Sequence, residues 1–303
     1  MSVAAARPSV SALQAWKMAV RLPTLTAAVA PVIAGTALAI HDDAFRLLPA
    51  LAALVGAVAL QVGANFANDV FDFERGADTV DRLGPPRAAQ LGLLSPSAIK
   101  LGMWAAFGVA MLAGIYLTAV AGWPIVAVGL ASIAGAIIYT GGPWPIGYHA
   151  LGDVFTFVFF GLVATIGTYF VQAEELTWPS CFIACSLGCT VTMILVVNNL
   201  RDIETDRRAK KRTLGVVMGD RATRWWYTTL MVAALVVPIG LSLGSDLNWA
   251  WLASIAAVPL GIPLLRAVLG GTSGRELNPV LKATARFHLL LAILLAAAII
   301  ASG

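Results

Sequence analysis

Two short polar stretches interrupt an otherwise apolar chain: Asn65-Phe66-Ala67-Asn68-Asp69-Val70-Phe71-Asp72 and Asn198-Asn199-Leu200-Arg201-Asp202-Ile203-Glu204-Thr205-Asp206. Read as helix, Asn65, Asn68, Asp69 and Asp72 fall at i, i+3, i+4 and i+7, on one face. Asn198, Asp202 and Asp206 recur every fourth residue, with Asn199 flanking them. Each stripe sits where an apolar run of membrane-spanning length ends, and carboxylates there are costly enough to mark a functional site. Two such stripes facing each other offer hard oxygen donors for a divalent cation. That suits Mg²⁺ held partly by protein and partly by a substrate's phosphates.

Hydrophobic residues make up 59% of the 303 positions and charged residues 12%, with a mean hydropathy of +0.84. A soluble domain carries about twice that charge fraction, so the chain reads as a polytopic membrane protein. Apolar runs suggest nine spans, roughly 22–41, 47–68, 99–120, 123–140, 152–171, 179–199, 226–244, 249–269 and 287–301. With the N-terminus inside, every basic residue of the 20 except Arg46 falls on the inner side. The net charge of +4 therefore reports topology; no basic groove or recognition helix points to nucleic acid. No signal-peptide cleavage layout precedes the first span, so the N-terminus is expected to be retained. Cys181, Cys185 and Cys189 line one helix face and read as small packing residues.

Both stripes follow an even-numbered span at the inner face, and each precedes a polar, basic loop, a hint of duplicated halves meeting at one site. A third inner loop, Thr140 to Tyr148, is rigid and turn-rich, the kind that lines sites. Carboxylates that hold Mg²⁺ let an acidic site grip a diphosphate and stabilise it as a leaving group. If that diphosphate carries an allylic prenyl chain, its departure leaves a delocalised carbocation that an electron-rich ring can capture. The long tail accounts for the membrane location. Asn65, Asn68, Asn198 and Asn199 suit neutral ligands or donors to phosphate, and Arg75, Arg82, Arg201, Lys210, Lys211 and Arg212 suit cationic contacts to it.

Asn68-Asp69-x-x-Asp72 with Asp78, together with Asp202-x-x-x-Asp206, resembles the two aspartate-rich motifs of UbiA-type membrane prenyltransferases. Four stretches look still closer to the 1,4-dihydroxy-2-naphthoate polyprenyltransferases of menaquinone biosynthesis. They are Arg21 to Leu25, Asn68 to Arg87, Tyr139 to Gly142 continuing to Asp153, and Asn198 to Leu214. The general pattern puts its third aspartate four residues after the second, where this chain has Gly76. Asp78 sits six residues on, which resembles the naphthoate branch rather than the 4-hydroxybenzoate branch.

The resemblance implies an all-α fold, about nine transmembrane helices around a central cavity, forming a single integral membrane domain over 1–303. It implies a cell-membrane location with the site near the cytoplasmic face, and Mg²⁺, an all-trans polyprenyl diphosphate and 1,4-dihydroxy-2-naphthoate as its partners. Carried over by position, Asn68, Asp72, Asp202 and Asp206 resemble the Mg²⁺–diphosphate ligands, with Asp69 and Asn198 supporting them and Asp78 as the third carboxylate. Tyr139 and Gly142 are expected at the acceptor pocket. Prenylation of another acceptor is the runner-up within enzymes, and a cation transporter is the alternative from another class.

Overall fold

The computed structural model describes residues 10–77 and 82–303. Asp78 and Asp81 lie outside the described residues. The chain forms α1 (Ala12–Val20), α2 (Thr26–His41), α3 (Leu47–Glu74), α4 (Pro96–Ala121) and α5 (Pro124–Ile138). It continues through α6 (Gly152–Ala173), α7 (Trp178–Arg208), the short α8 (Leu214–Met218), α9 (Asp220–Gly244), α10 (Ala250–Leu269) and α11 (Leu277–Ile300). Among the described residues no β-strand occurs, only an isolated bridge between His149 and Arg212.

Among the described residues eight helical segments are long and apolar enough to cross a membrane, and Pro124–Ile138 is a shorter apolar helix. The nine expected runs are thus all helical, one of them short. Four extend six residues or more beyond their hydropathy limits: α3 runs to Glu74, α7 to Arg208, α9 begins at Asp220, and α11 begins at Leu277. The extra turns of α3, α7 and α11 carry the polar stripes or the residues opposite them. Hydropathy reads such turns as loop, whereas the backbone stays helical because their polar side chains find partners.

Local signals set the ends. Ser11 accepts from Gln14 N, and the Gln14 side chain accepts from Ser11 N, a capping box that starts α1. Ser95, Thr177 and Thr213 cap α4, α7 and α8 through their hydroxyls. Pro96 and Pro124 occupy first-turn positions, where no amide proton is missed. Helix α3 ends at Gly76, whose φ of 69° lies in the left-handed region that glycine favours.

Apolar side chains cover the outside of the bundle as well as its core: Leu112 is 70% exposed and Leu243 86%. Such a surface is satisfied by lipid. Helices α3 and α4 pack together and enclose Phe66, Val70, Met103 and Phe107. A larger core joins α2, α7, α9, α10 and α11 through Leu187, Met193, Tyr227, Phe287 and Leu291. Helix α1 lies against the first group, with Trp16 edge-on to Phe66 at 5.6 Å between centroids.

Helix α6 contains a π turn over Phe157–Val163. Next to it, α6 crosses α7 so closely that a Cβ on Gly161 would stand 2.4 Å from Gly188 Cα. At the end opposite the polar stripes, the Tyr169 hydroxyl contacts Asp42 Oδ2 at 2.6 Å and Glu175 Oε1 at 2.9 Å. Arg46 pairs with Glu174 there.

Gly161→Val is therefore expected to force α6 and α7 apart and cost roughly 1–3 kcal/mol or more. Gly167→Ala, whose new Cβ meets nothing within 4 Å, is the matched control. Thermal unfolding in detergent should show a lowered Tm for the first and little change for the second.

Candidate functional site

The C-terminal ends of α3 and α7 and the loop after α5 converge on one cavity of about 390 Å³. From α3 it is lined by Asn65, Asn68 and Asp72, and from α7 by Asn198 and Asn199. Arg82, Arg87 and Lys211 complete the polar end, and Tyr139 and Thr140 stand at its side. The rest of the wall is mainly apolar, including Leu60, Leu117, Val128, Phe155, Phe159 and Val171, with Thr24, Gln61 and Ser132 among the polar exceptions. The π turn widens the helical repeat so that Phe155, Phe159 and Phe160 all reach this wall.

Asp72 is 2% exposed. Its Oδ2 accepts from Arg87 Nη1 at 2.7 Å and its Oδ1 from the Tyr148 hydroxyl at 2.8 Å. Arg87 also donates to the Asn68 carbonyl, binding the loop before α4 to the motif. The Asn68 amide oxygen accepts from Thr140 Oγ1 at 3.0 Å. Arg75 donates to the Thr140 and Gly142 carbonyls, so it braces the 140–148 loop. Tyr148 sits between two cations: Arg75 lies 5.7 Å and Lys211 5.1 Å from its ring centre. Burial and the adjoining Asp72 carboxylate hold the Tyr148 phenol above its ordinary range, so it keeps its proton and donates it.

Across the cavity, Arg201 grips Asp202 with two bonds, 2.8 Å from Nε and 2.5 Å from Nη2. Its remaining donors reach Asn198 Oδ1 at 2.6 Å and Asn278 Oδ1 at 2.8 Å. Asn278 in turn donates to the Leu83 carbonyl, and a Cβ on Gly84 would stand 2.8 Å from Arg201 Nη2. Asp206 accepts from Thr213 Oγ1 at 3.3 Å. Asp153, buried at the start of α6, accepts from Trp226 Nε1 at 2.9 Å and Asn199 Nδ2 at 3.4 Å. It thereby orients a residue of the cavity wall.

Not every expected residue faces the cavity: Arg75, Gly142, Arg201, Asp202 and Asp206 stand beside its polar end without being among the lining residues. Asp69 is 1% exposed, and its Oδ1 accepts from Ala89 N; it is not among the lining residues. Asn65 lines the cavity but spends its amide on Val20 O and Thr24 Oγ1. Lys211, rather than Lys210, is at the cavity; Lys210 is exposed with a left-handed φ of 57°. Gly142, also left-handed at φ 74°, turns the loop beside the site. Arg87 and Tyr148 are the site residues whose place the sequence pattern leaves unmarked, since each stands alone in a loop. Asp153, whose position at a helix start suits either orienting a cavity residue or favouring the helix N-terminus, does orient Asn199.

The donor set fits Mg²⁺. Asp72, Asp202 and Asp206 supply carboxylates and Asn68 and Asn198 amide oxygens, all hard ligands on two facing helix ends. Among the described residues no three acidic, His or Cys side chains are clustered as a ready-made cage. A cation shared with substrate phosphates needs none.

Residues 28–291 match the model of the UbiA prenyltransferase family. The 1,4-dihydroxy-2-naphthoate octaprenyltransferase of Mycobacterium tuberculosis is 40% identical over 284 residues, covering 94% of this chain and 96% of that protein. The protein of the same description from Escherichia coli is 36% identical, with 93% of each chain covered. Among solved structures, a UbiA homolog from Archaeoglobus fulgidus bound to GPP and Mg²⁺ superposes with a TM-score of 0.67 at 13% identity, over 92% of this chain and 99% of that one. The apo UbiA homolog from Aeropyrum pernix K1 gives 0.68 at 16% identity, over 93% and 98%. At such identities the superpositions speak for the fold.

Arg87→Met leaves the Asp72 carboxylate buried without its counter-charge, which costs roughly 3–5 kcal/mol. The double variant Arg87→Met/Asp72→Asn should be more stable than Arg87→Met alone by thermal unfolding. Equal losses in the two would mean that the pair is not what holds this end together.

Proposed function

The chain belongs to the UbiA prenyltransferase family, and we propose that within it this protein transfers a polyprenyl group to 1,4-dihydroxy-2-naphthoate. The donor is an all-trans polyprenyl diphosphate, CO₂ is lost, and the product is demethylmenaquinol, which dioxygen oxidises to the quinone (demethylmenaquinone) on work-up. One observation carries the reading: a single cavity joins an Asn/Asp/Arg/Lys end to a long apolar wall, the two chemistries that one prenyl diphosphate combines. The relatives that are 36–40% identical over nearly the whole chain support the naphthoate acceptor.

Asp72, Asp202 and Asp206, with Asn68 and Asn198, would hold Mg²⁺. When bound, the ion neutralises the diphosphate and stabilises it as a leaving group. Arg82, Arg87 and Lys211 present positive charge to the same oxygens from the cavity rim. Arg75 and Tyr148 position the loop that closes over them. Phe155, Phe159 and Phe160 exclude water from the allylic carbon, so that the ring carbon captures it rather than hydroxide. Attack at the carboxyl-bearing carbon forms the new C–C bond. The electron pair of the breaking C–CO₂⁻ bond then refills the ring, so no base is required at that carbon. Asp78 belongs to the same motif as a third carboxylate. The whole of 1–303 acts as one membrane unit in the cell membrane, with the cavity mouth on the cytoplasmic side, where the basic residues gather.

The test is a membrane-extract assay with Mg²⁺, a long all-trans prenyl diphosphate and a mixture of 1,4-dihydroxy-2-naphthoate and 4-hydroxybenzoate, read by product mass. A decarboxylated prenyl-naphthoquinone is expected, reduced about a hundredfold or more in Asp72→Asn and Asp206→Asn of unchanged fold. EDTA should stop the reaction and added Mg²⁺ restore it. Prenylated hydroxybenzoate alone would overturn the acceptor, and turnover surviving EDTA would overturn the role of the cation.

A further inference from the structure

Deeper in the cavity than the aspartates, a small polar cluster has one valence left over. The Val20 carbonyl can only accept, and it accepts from Asn65 Nδ2 at 2.8 Å. That contact fixes the Asn65 amide, turning its Oδ1 toward Gln61, whose Nε2 donates to it at 3.1 Å. Gln61 Nε2 and Asn65 Nδ2 also lie 3.3 Å and 2.9 Å from Thr24 Oγ1, and the Thr24 hydroxyl gives its own proton to the Arg21 carbonyl at 2.9 Å. The orientation of Gln61 is therefore dictated by its neighbours. Its Oε1 is left buried without a hydrogen-bond partner, on a residue that is 7% exposed and lines the cavity. A buried acceptor in that state favours a ligand that brings a proton to it.

Resting on the function proposed above, the choice of ligand follows from the reactants' chemistry. An ionised diphosphate offers only acceptor oxygens, and its prenyl tail offers nothing polar. The naphthoate has two hydroxyl donors. Its 1-hydroxyl lies beside the ring carboxylate and closes an internal hydrogen bond with it, which leaves the 4-hydroxyl free. Gln61 stands seven residues before Asn68 on α3, about 10 Å deeper along the helix. Taken in line inward from the diphosphate, the allylic carbon, the acceptor's reacting carbon and its 4-hydroxyl together reach over that span. We propose that Gln61 Oε1 accepts the proton of the acceptor's 4-hydroxyl, making Gln61 the residue that selects a 1,4-diol over a mono-hydroxylated ring. Asn65 and Thr24 act as positioning residues that aim it.

Discrimination by such a contact arises because the analogue without the hydroxyl leaves the acceptor unmet. The test uses the full chain purified in detergent, with 1,4-dihydroxy-2-naphthoate kept reduced and 1-hydroxy-2-naphthoate as the two probes. Dissociation constants are measured for wild type and for Gln61→Met, a near-isosteric change. Wild type is expected to prefer the diol by roughly tenfold. In Gln61→Met the diol should weaken to within about twofold of the mono-hydroxy compound, whose own affinity and the KM for prenyl diphosphate stay unchanged. A preference that persists in Gln61→Met, or equal weakening of both probes as from a purely structural role, overturns the assignment. A wild-type ratio near one overturns it without any variant. Wild-type protein that binds neither naphthoate overturns the functional reading itself, and this assignment with it.

Discussion

A carboxylate inside an apolar bundle must find its counter-charge there, and the architecture of the polar end follows from that requirement. Asp72 is met by Arg87 from the loop before α4, and Asp202 by its neighbour Arg201 on α7. Neither arginine stops at its aspartate. Arg87 reaches the Asn68 carbonyl, and Arg201 reaches Asn198 and Asn278, which holds the Leu83 carbonyl. Neutralising two charges thereby ties α3, α7, α11 and the segment from Leu83 to Arg87 into one frame. Buried pairs of this kind contribute little net stability over an apolar substitute. Their consequence here is that the carboxylates of α3 and α7 are each held in a fixed position by the same loops that border the cavity.

The cavity inherits its polarity from the same frame. Charged groups gather where helix ends meet loops, whereas deeper in, isolated polar side chains such as Gln61 and Ser132 interrupt a wall built mainly of Leu, Val, Ala and Phe. A substrate with an ionic head and a hydrocarbon tail meets a gradient that orients it before any specific contact forms. Tyr148 adds a second tie, since it hydrogen-bonds Asp72 while its ring lies between Arg75 and Lys211. The 140–148 loop and the segment after α7 are also linked through the Arg212 amide and the Tyr148 carbonyl.

Much of this was legible in the sequence because periodicity reports on helices. The fourfold spacing of Asn198, Asp202 and Asp206 placed them on one face, and the seven-residue spacing of Asn65 and Asp72 did the same on α3. Spacing does not say what packs against a face, however. Asp69 shares the stripe, but the Ala88–Ala89 backbone covers its edge and takes its carboxylate. Hydropathy alone stops α3 and α7 at 68 and 199; the helical spacing of the stripes and the glycine at 76 carry the helices further, and they run to Glu74 and Arg208. Helix α1 was missed, although Ser11 and Gln14 carry its capping-box signature. Single residues such as Arg87 and Tyr148 have no period to reveal them, and only the tertiary arrangement gives them roles.

The π turn in α6 has a further consequence for the half of the molecule away from the polar stripes. One residue more per turn rotates everything downstream by about 100° relative to a regular helix. Before and within the turn, Phe155, Phe159 and Phe160 face the cavity; beyond it, Gly167 and Val171 still line the cavity while Gln172 reaches Thr36 and Tyr169 reaches Asp42, both on the side of α2. The bulge thus works as a phase shifter within a single span, setting which α6 residues line the cavity and which meet α2. Register along α6 is consequently a shared variable: an insertion or deletion anywhere between Phe157 and Val163 would retune both surfaces at once, which makes this the span least free to change in length.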